Sequence, residues 1–135
     1  MSVPFLACML LTASVYHLPP RVLPSILAVE GGRPGLIHSN KNLSEDLGLM
    51  QINTIWLPAL GNRTGMAQAA VRDRLLNDSC FNIAAAGLIM RTYLNETKGD
   101  LMQAVGNYHS HTPVFNQNYQ VKVKNAAQVM FAPRP

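Results

Sequence analysis

The stretch PPRVLPSILAVEGG, residues 19–32, is the tightest local constraint in this chain. Pro19-Pro20 breaks any helix arriving from the N-terminal side, and a proline is tolerated at the first position of the next one. Gly31-Gly32 is a natural C-terminal stop. One short, apolar helix is therefore expected between these signals, opened by Pro20 and ended by Glu30. A carboxyl at the apolar end of a core helix is poorly solvated, which favours its protonated form. That form is what a general acid needs in order to protonate a leaving group. The two glycines beside it leave room for a substrate. The alternative is a helix-terminal glutamate that simply reaches water.

The rest of the chain reads as almost wholly helical. A helix is expected from about Phe5 to Tyr16. A polar loop, RPGLIHSNKNLSED, follows Gly32. TIWLPAL reads as a short helix stopped near Gly61, and MAQAAVRDRLL as another. DSCFNIAAAGLIMRTYL opens on the capping residues Asp78 and Ser79, with Ile83, Gly87, Met90 and Leu94 at helical spacing on a buried face. Asp100 caps LMQAVGNYH, and Pro113 opens a last helix toward Met130. QVKVK within it could instead form an isolated strand. Six or seven short helices and one long polar loop, with a minor hairpin in that loop, make an all-α or α-dominant single domain over residues 1–135, long enough to bury a core.

Composition removes several function classes. Apolar residues make up 48% of the chain and charged residues 13%, which argues against disorder. The net charge of +4 favours an anionic partner, but the basic residues are scattered where nucleic-acid readers show a dense stripe. No nucleic-acid partner is expected. His17, His38, His109 and His111 lack metal-ligand spacing, and no nucleotide-binding loop is present, so neither metal nor cofactor is expected. The apolar N-terminal run is shorter than the about 20 residues a bilayer span needs. It lacks the charge and cleavage pattern of a secretory leader and fits a core helix. No integral membrane segment or clear signal peptide is therefore expected. Cys8 and Cys80 are either two buried thiols or one disulfide closing a long loop.

The seven carboxylates narrow the chemistry. Asp73, Asp78, Glu96 and Asp100 read as surface or capping residues. Glu45 and Asp46 stand directly before a second unusual stretch, GLMQIN, in which Gly48, Leu49, Met50, Gln51 and Asn53 set a short apolar step among polar groups. Taken alone, that stretch is a polar turn leading into a helix.

In order and spacing, ILAVEGG, DLGLMQIN and AVGNYHS resemble the transglycosylase SLT family, the lysozyme-like lytic transglycosylases that cleave bacterial peptidoglycan. More narrowly they are similar to the small members that accompany type III and type IV secretion, pilus and conjugation machines. The resemblance runs from Cys8 to about Tyr119 and includes Asn40, Asn42, Trp56 and CFNIAAAG. It implies a lysozyme-like fold with Glu30 as the catalytic acid. Gly48 to Gln51 would line the cleft, and Tyr108-His109 would be the late-helix pair beside it. Read as a cleft wall, Met50 would pack on a sugar ring, Gln51 and Asn53 would bond acetamido or hydroxyl groups, and Gly48 would let the backbone come close. The family's usual Ser after the Glu is Gly31 here, and its usual Asn after the Tyr is His109.

The resemblance also implies a mechanism without a second carboxylate. Glu30 would protonate the bond between N-acetylmuramic acid and N-acetylglucosamine, then act as base while the muramoyl 6-hydroxyl closes a 1,6-anhydro ring. Ordinary glycosidases use two carboxyls, so the rival reading is a lysozyme-type hydrolase with Asp46 or Glu45 as the second. A third is a catalytically weak peptidoglycan-binding protein that docks with a secretion complex. The expected partners are glycan strands and components of such a machine. The expected location is the periplasm or cell wall, where Cys8 and Cys80 could oxidise.

Overall fold

The computed structural model describes residues 3–133. Among them are seven α-helices and one three-stranded antiparallel sheet. The helices are α1 (Leu6–Tyr16), α2 (Val22–Glu30), α3 (Leu57–Thr64), α4 (Gln68–Asn77), α5 (Ser79–Glu96), α6 (Leu101–His109) and α7 (Pro113–Phe131). The strands are β1 (Ile37–Ser39), β2 (Glu45–Leu47) and β3 (Ile52–Asn53), all in the polar segment between α2 and α3. The chain is α-dominant, as expected, and the loop after Gly32 is a small sheet.

By backbone contact the chain falls into two units. One comprises the N-terminal segment through Val29 together with Gly87 onward, and the other is Glu30–Ala86. In the first, α1 ends on His17 in the left-handed conformation, φ 53°, and the Leu18 N–H returns to the Ala13 carbonyl at 2.9 Å. That backbone closure stops α1 before the prolines are reached. The α2 helix starts at Val22, two residues after the expected Pro20. Pro19 to Arg21 form the turn that feeds it, with Val22 N–H donating to Pro19 O at 3.1 Å. Pro24 sits in the first turn of α2, where an N–H has no intrahelical partner to lose. Gly87 of α5 lies against Thr12 and Tyr16 of α1, closer than any Cβ would allow. The same intimacy recurs between Gly106 of α6 and the Asn116 amide of α7.

In the Glu30–Ala86 unit, β1 pairs with β2 through Ile37–Leu47, His38–Asp46 and Ser39–Glu45, and β2 pairs with β3 through Asp46–Asn53 and Leu47–Ile52. Leu47 and Ile52 face inward with Val71, Leu75 and Ile83, all essentially inaccessible to solvent. One expectation requires correction. TIWLPAL does not stop at Gly61: Thr54–Trp56 is a 3-10 turn, and α3 continues through Gly61 to Thr64. The stop is Gly65, whose left-handed backbone returns its N–H to Gly61 O at 2.9 Å. The expected last helix is present, and QVKVK lies inside it as part of α7, with Tyr119 and Val123 supplying that helix's buried face. The expected caps are in place: Asp78 Oδ1 accepts from Phe81 N–H at 3.0 Å, and Asp100 Oδ1 from Gln103 N–H at 3.1 Å.

Candidate functional site

Glu30 is the last residue of α2 and half-buried. The chain leaves it through Gly31, whose φ of +62° is the left-handed geometry that ends helices. Gly32 then packs its Cα against the Gly48 and Leu49 carbonyls, so closely that a Cβ there would overlap both. The backbone two residues after Glu30 therefore lies directly on the G-L-M-Q segment. These two pieces, far apart in sequence, are brought together within one unit.

Gly48 to Gln51 form the tight turn joining β2 to β3. Gly48 takes φ +68°, and a Cβ there would meet Leu75 O and Asn82 Nδ2. Its N–H donates to Leu36 O at 2.8 Å. Gln51 is also left-handed, φ 55°, and folds its side chain back so that Nε2 donates to Gly48 O at 2.9 Å. The turn is closed from beneath by Asn82 of α5, which is 0% exposed. Its Oδ1 accepts from Met50 N–H at 2.8 Å, and its Nδ2 donates to Leu47 O at 2.9 Å and Leu75 O at 2.8 Å. One buried amide thus ties together a strand, the turn and α4.

The turn's side chains differ from the expected cleft wall. Met50 is 0% exposed and Leu49 is 4% exposed, so both are core residues of this fold. An enclosed methionine cannot pack on a sugar ring, and of the residues in the turn only Gln51 is half-buried rather than buried. Asn53 is engaged on the sheet: its Nδ2 donates to Asp46 Oδ1 at 2.9 Å and Ser44 Oγ at 3.1 Å, and its Oδ1 accepts from Ile55 N–H at 2.9 Å.

Both acids before the turn have structural partners. Glu45 Oε1 accepts from Arg72 Nε at 3.0 Å and Nη2 at 2.8 Å, which pins β2 to α4. Asp46 accepts from Asn53 on one oxygen and from Asn40 Nδ2 at 3.2 Å on the other, where His38 Nδ1 also lies at 3.5 Å. Asn42 shapes the β1–β2 connection, its Oδ1 accepting from Ser44 N–H at 3.1 Å and Ser44 Oγ at 2.6 Å.

Tyr108 and His109 belong to the other unit, at the C-terminal end of α6. Tyr108 is half-buried, whereas His109 is exposed with its ring stacked on buried Tyr119 of α7, centroids 5.0 Å apart and planes 12° from parallel. Beneath them runs a chain of amides. Asn116 Nδ2 donates to Asn107 Oδ1 at 2.8 Å and Ser110 O at 3.1 Å, and Asn107 Nδ2 donates to Glu96 Oε1 at 3.0 Å. His111 Nε2 meets the same Glu96 oxygen at 2.6 Å and its ring meets Tyr93 edge-on. Burial, then the Glu96 charge, pushes the Tyr93 phenol up, so it stays protonated. This network fixes the end of α6 from which Tyr108 projects.

Cys8 and Cys80 are both disulfide-bonded. Among the described residues no three His, Cys, Asp or Glu side chains cluster as metal ligands, and no helix is long and apolar enough to cross a membrane. Residue-type reasoning missed Arg72 and Asn82, and it read Gly32 as room for a substrate where the Gly48 and Leu49 carbonyls lie instead. Asn82 left a signal, since it falls on the apolar stripe of α5 with Ala86, Ile89 and Tyr93, where a polar side chain must have a buried partner.

Comparison with known proteins is consistent with this geometry. The family model described as Transglycosylase SLT domain matches residues 8–129, nearly the whole chain. The invasion protein IagB of Salmonella typhimurium, strains SL1344 and LT2, and that of Salmonella typhi are each 29% identical to this chain over 106 residues. The match covers 78% of this chain and 62% of each relative, so the chain spans less than two thirds of the relatives' length. The chain belongs to the transglycosylase SLT family, whose members are lytic transglycosylases.

Proposed function

We propose that this chain is a peptidoglycan lytic transglycosylase in which Glu30 is the single acid and base. The observation that carries the proposal is the end of α2. Glu30 stands two residues from a backbone joint with the Gly48–Gln51 turn, while the other carboxylates near that turn are committed to Arg72, Asn40 and Asn53. In the first step the Glu30 carboxyl gives its proton to the glycosidic oxygen between N-acetylmuramic acid and N-acetylglucosamine. The C1–O bond breaks, and the substrate's acetamido group stabilises the oxocarbenium-like centre. In the second, the Glu30 carboxylate takes the proton of the muramoyl 6-hydroxyl as that oxygen bonds to C1. The product carries a 1,6-anhydro end, no water is consumed, and Glu30 is protonated again. Gln51 binds the glycan beside the turn, and Tyr108 helps to orient the acid or the acetamido group, with His109 supporting that end of α6.

A hydrolase of the lysozyme type needs a carboxylate that can activate water. Asp46, which accepts an amide hydrogen bond on each oxygen, is poorly placed for that role. The proposed setting is the periplasm or cell wall, where the enzyme opens the peptidoglycan locally for a secretion or conjugation apparatus. The invasion-protein name of the Salmonella relatives fits such a setting. The test is mass spectrometry of muropeptides released from purified sacculi, with Glu30→Gln as control. Anhydro-ended products from the wild type and none from the variant are expected. Reducing ends would instead indicate hydrolysis, and no release from folded wild-type protein would indicate a binding role.

A further inference from the structure

We infer that Asn82 is a positioning residue for Glu30, acting through the Gly48–Gln51 turn; the inference rests on the lytic reading above. Asn82 is wholly buried and makes three hydrogen bonds, each to backbone. Two of them bracket the turn, at Leu47 O and Met50 N–H, and the third anchors the amide to Leu75 O. The turn needs such a clamp because its backbone is unusual at both ends, left-handed at Gly48 and again at the non-glycine Gln51. A left-handed non-glycine residue costs roughly 1–2 kcal/mol and persists only when its surroundings hold it. The upper surface of the same turn is the surface on which Gly32 rests. Gly32 has no side chain to cushion that contact, so a displacement of the Gly48 and Leu49 carbonyls passes to the backbone leaving Glu30. Asn82 lies 32 residues beyond Met50, and its hydrogen bonds go to Met50, Leu47 and Leu75 rather than to Glu30.

Asn82→Asp keeps the shape of the side chain but removes the two N–H donors, leaving at least one buried carbonyl without a partner. Asn82→Ser shortens the group and leaves space for a bridging water, so it is the gentler variant. Each is assayed for release of anhydro-ended products from soluble, uncrosslinked glycan strands, at temperatures where circular dichroism shows the protein folded. Misplacing an acid by part of an ångström predicts a loss in kcat of roughly 10- to 100-fold with little change in KM. A stabilising role alone would leave the folded protein with wild-type kcat. A folded variant whose kcat stays within about twofold of wild type, or whose loss lies in KM alone, overturns the inference. Native-state hydrogen exchange on the wild type is a second measurement that needs no variant. The Met50 amide is expected to exchange as slowly as the core of α5, and rapid exchange there overturns the clamp. A wild-type chain that releases no product from the strands overturns the lytic reading itself, which the exchange measurement does not depend on.

Discussion

Gly31 and Gly48 share a backbone conformation but not an environment, and that contrast gives a quantitative test of how the turn is held. Their φ angles are +62° and +68°. Around a Cβ at Gly31 there is nothing within 4 Å, whereas a Cβ at Gly48 would meet Leu75 O and Asn82 Nδ2. Alanine at 31 therefore carries only the left-handed penalty, roughly 1–2 kcal/mol. Alanine at 48 carries the same penalty, and must also displace backbone and weaken the buried Asn82 bonds. Overpacking and an unsatisfied buried group each cost about 1–3 kcal/mol. Because these two effects overlap, a total of about 2–6 kcal/mol is expected for Gly48→Ala, a large part of the 5–15 kcal/mol that holds a domain of this size. Urea unfolding followed by circular dichroism measures both variants under identical conditions. Equal destabilisation would show that the packing of Gly48 on Leu75 and Asn82 does not hold the turn. A larger effect at Gly31 would refute the reasoning outright.

Three further outcomes follow from the same geometry. Reduction of the Cys8–Cys80 bridge, or the paired change Cys8→Ala with Cys80→Ala, is expected to lower the unfolding free energy by about 4 kcal/mol, read from denaturant midpoints with and without reductant. Asp78→Ala is expected to cost about 1 kcal/mol at neutral pH by removing the cap of α5. The Phe81 N–H first, and then Arg74, hold the Asp78 carboxyl below its ordinary value of 3.8. Its contribution is thus complete above that value and is lost as pH falls through the lower folded value, so the wild-type and variant stabilities should converge in acid. Arg72→Ala is expected to lower stability by about 1 kcal/mol or less, because the Glu45 pair is half-exposed. It is expected to leave the anhydro character of the products unchanged, as mass spectrometry of the released muropeptides would show.

The helical frame was legible because its boundaries are set by local chemistry. Asp78 and Asp100 cap helices because short acidic side chains accept from the next turn's N–H groups, and that relation spans three residues. Gly61 misled because a glycine signals a stop only when its φ is positive, and sequence does not show the sign. Gly65, four residues on, has the positive φ. The enclosure of Met50 was not legible either. Nothing near Met50 in sequence indicates that an amide 32 positions away holds its N–H and that the turn folds its apolar residues inward. The His109 stack on Tyr119 likewise joins two helices through a contact that no periodicity records.

Glu30 stood out in the sequence as the candidate acid because carboxylates are few. A chain with seven carboxylates leaves few ambiguous ones, and those outside α2 have sheet, capping or surface partners. Glu45 holds Arg72, Asp46 holds Asn40 and Asn53, and Asp73 accepts from Asn77. Asp78 and Asp100 cap helices, and Glu96 gathers Asn107 and His111. Glu30 is set apart by where its chain goes next. The Gly31 turn and the bare Gly32 backbone carry the end of α2 onto a clamped turn. A serine at 31, the family's usual residue, would have to accept a left-handed backbone here, at roughly 1–2 kcal/mol. The glycine therefore follows from the path of this chain, and under the inference drawn above the positioning that a serine hydroxyl would supply falls instead to the backbone joint at Gly32 and to Asn82 beneath it.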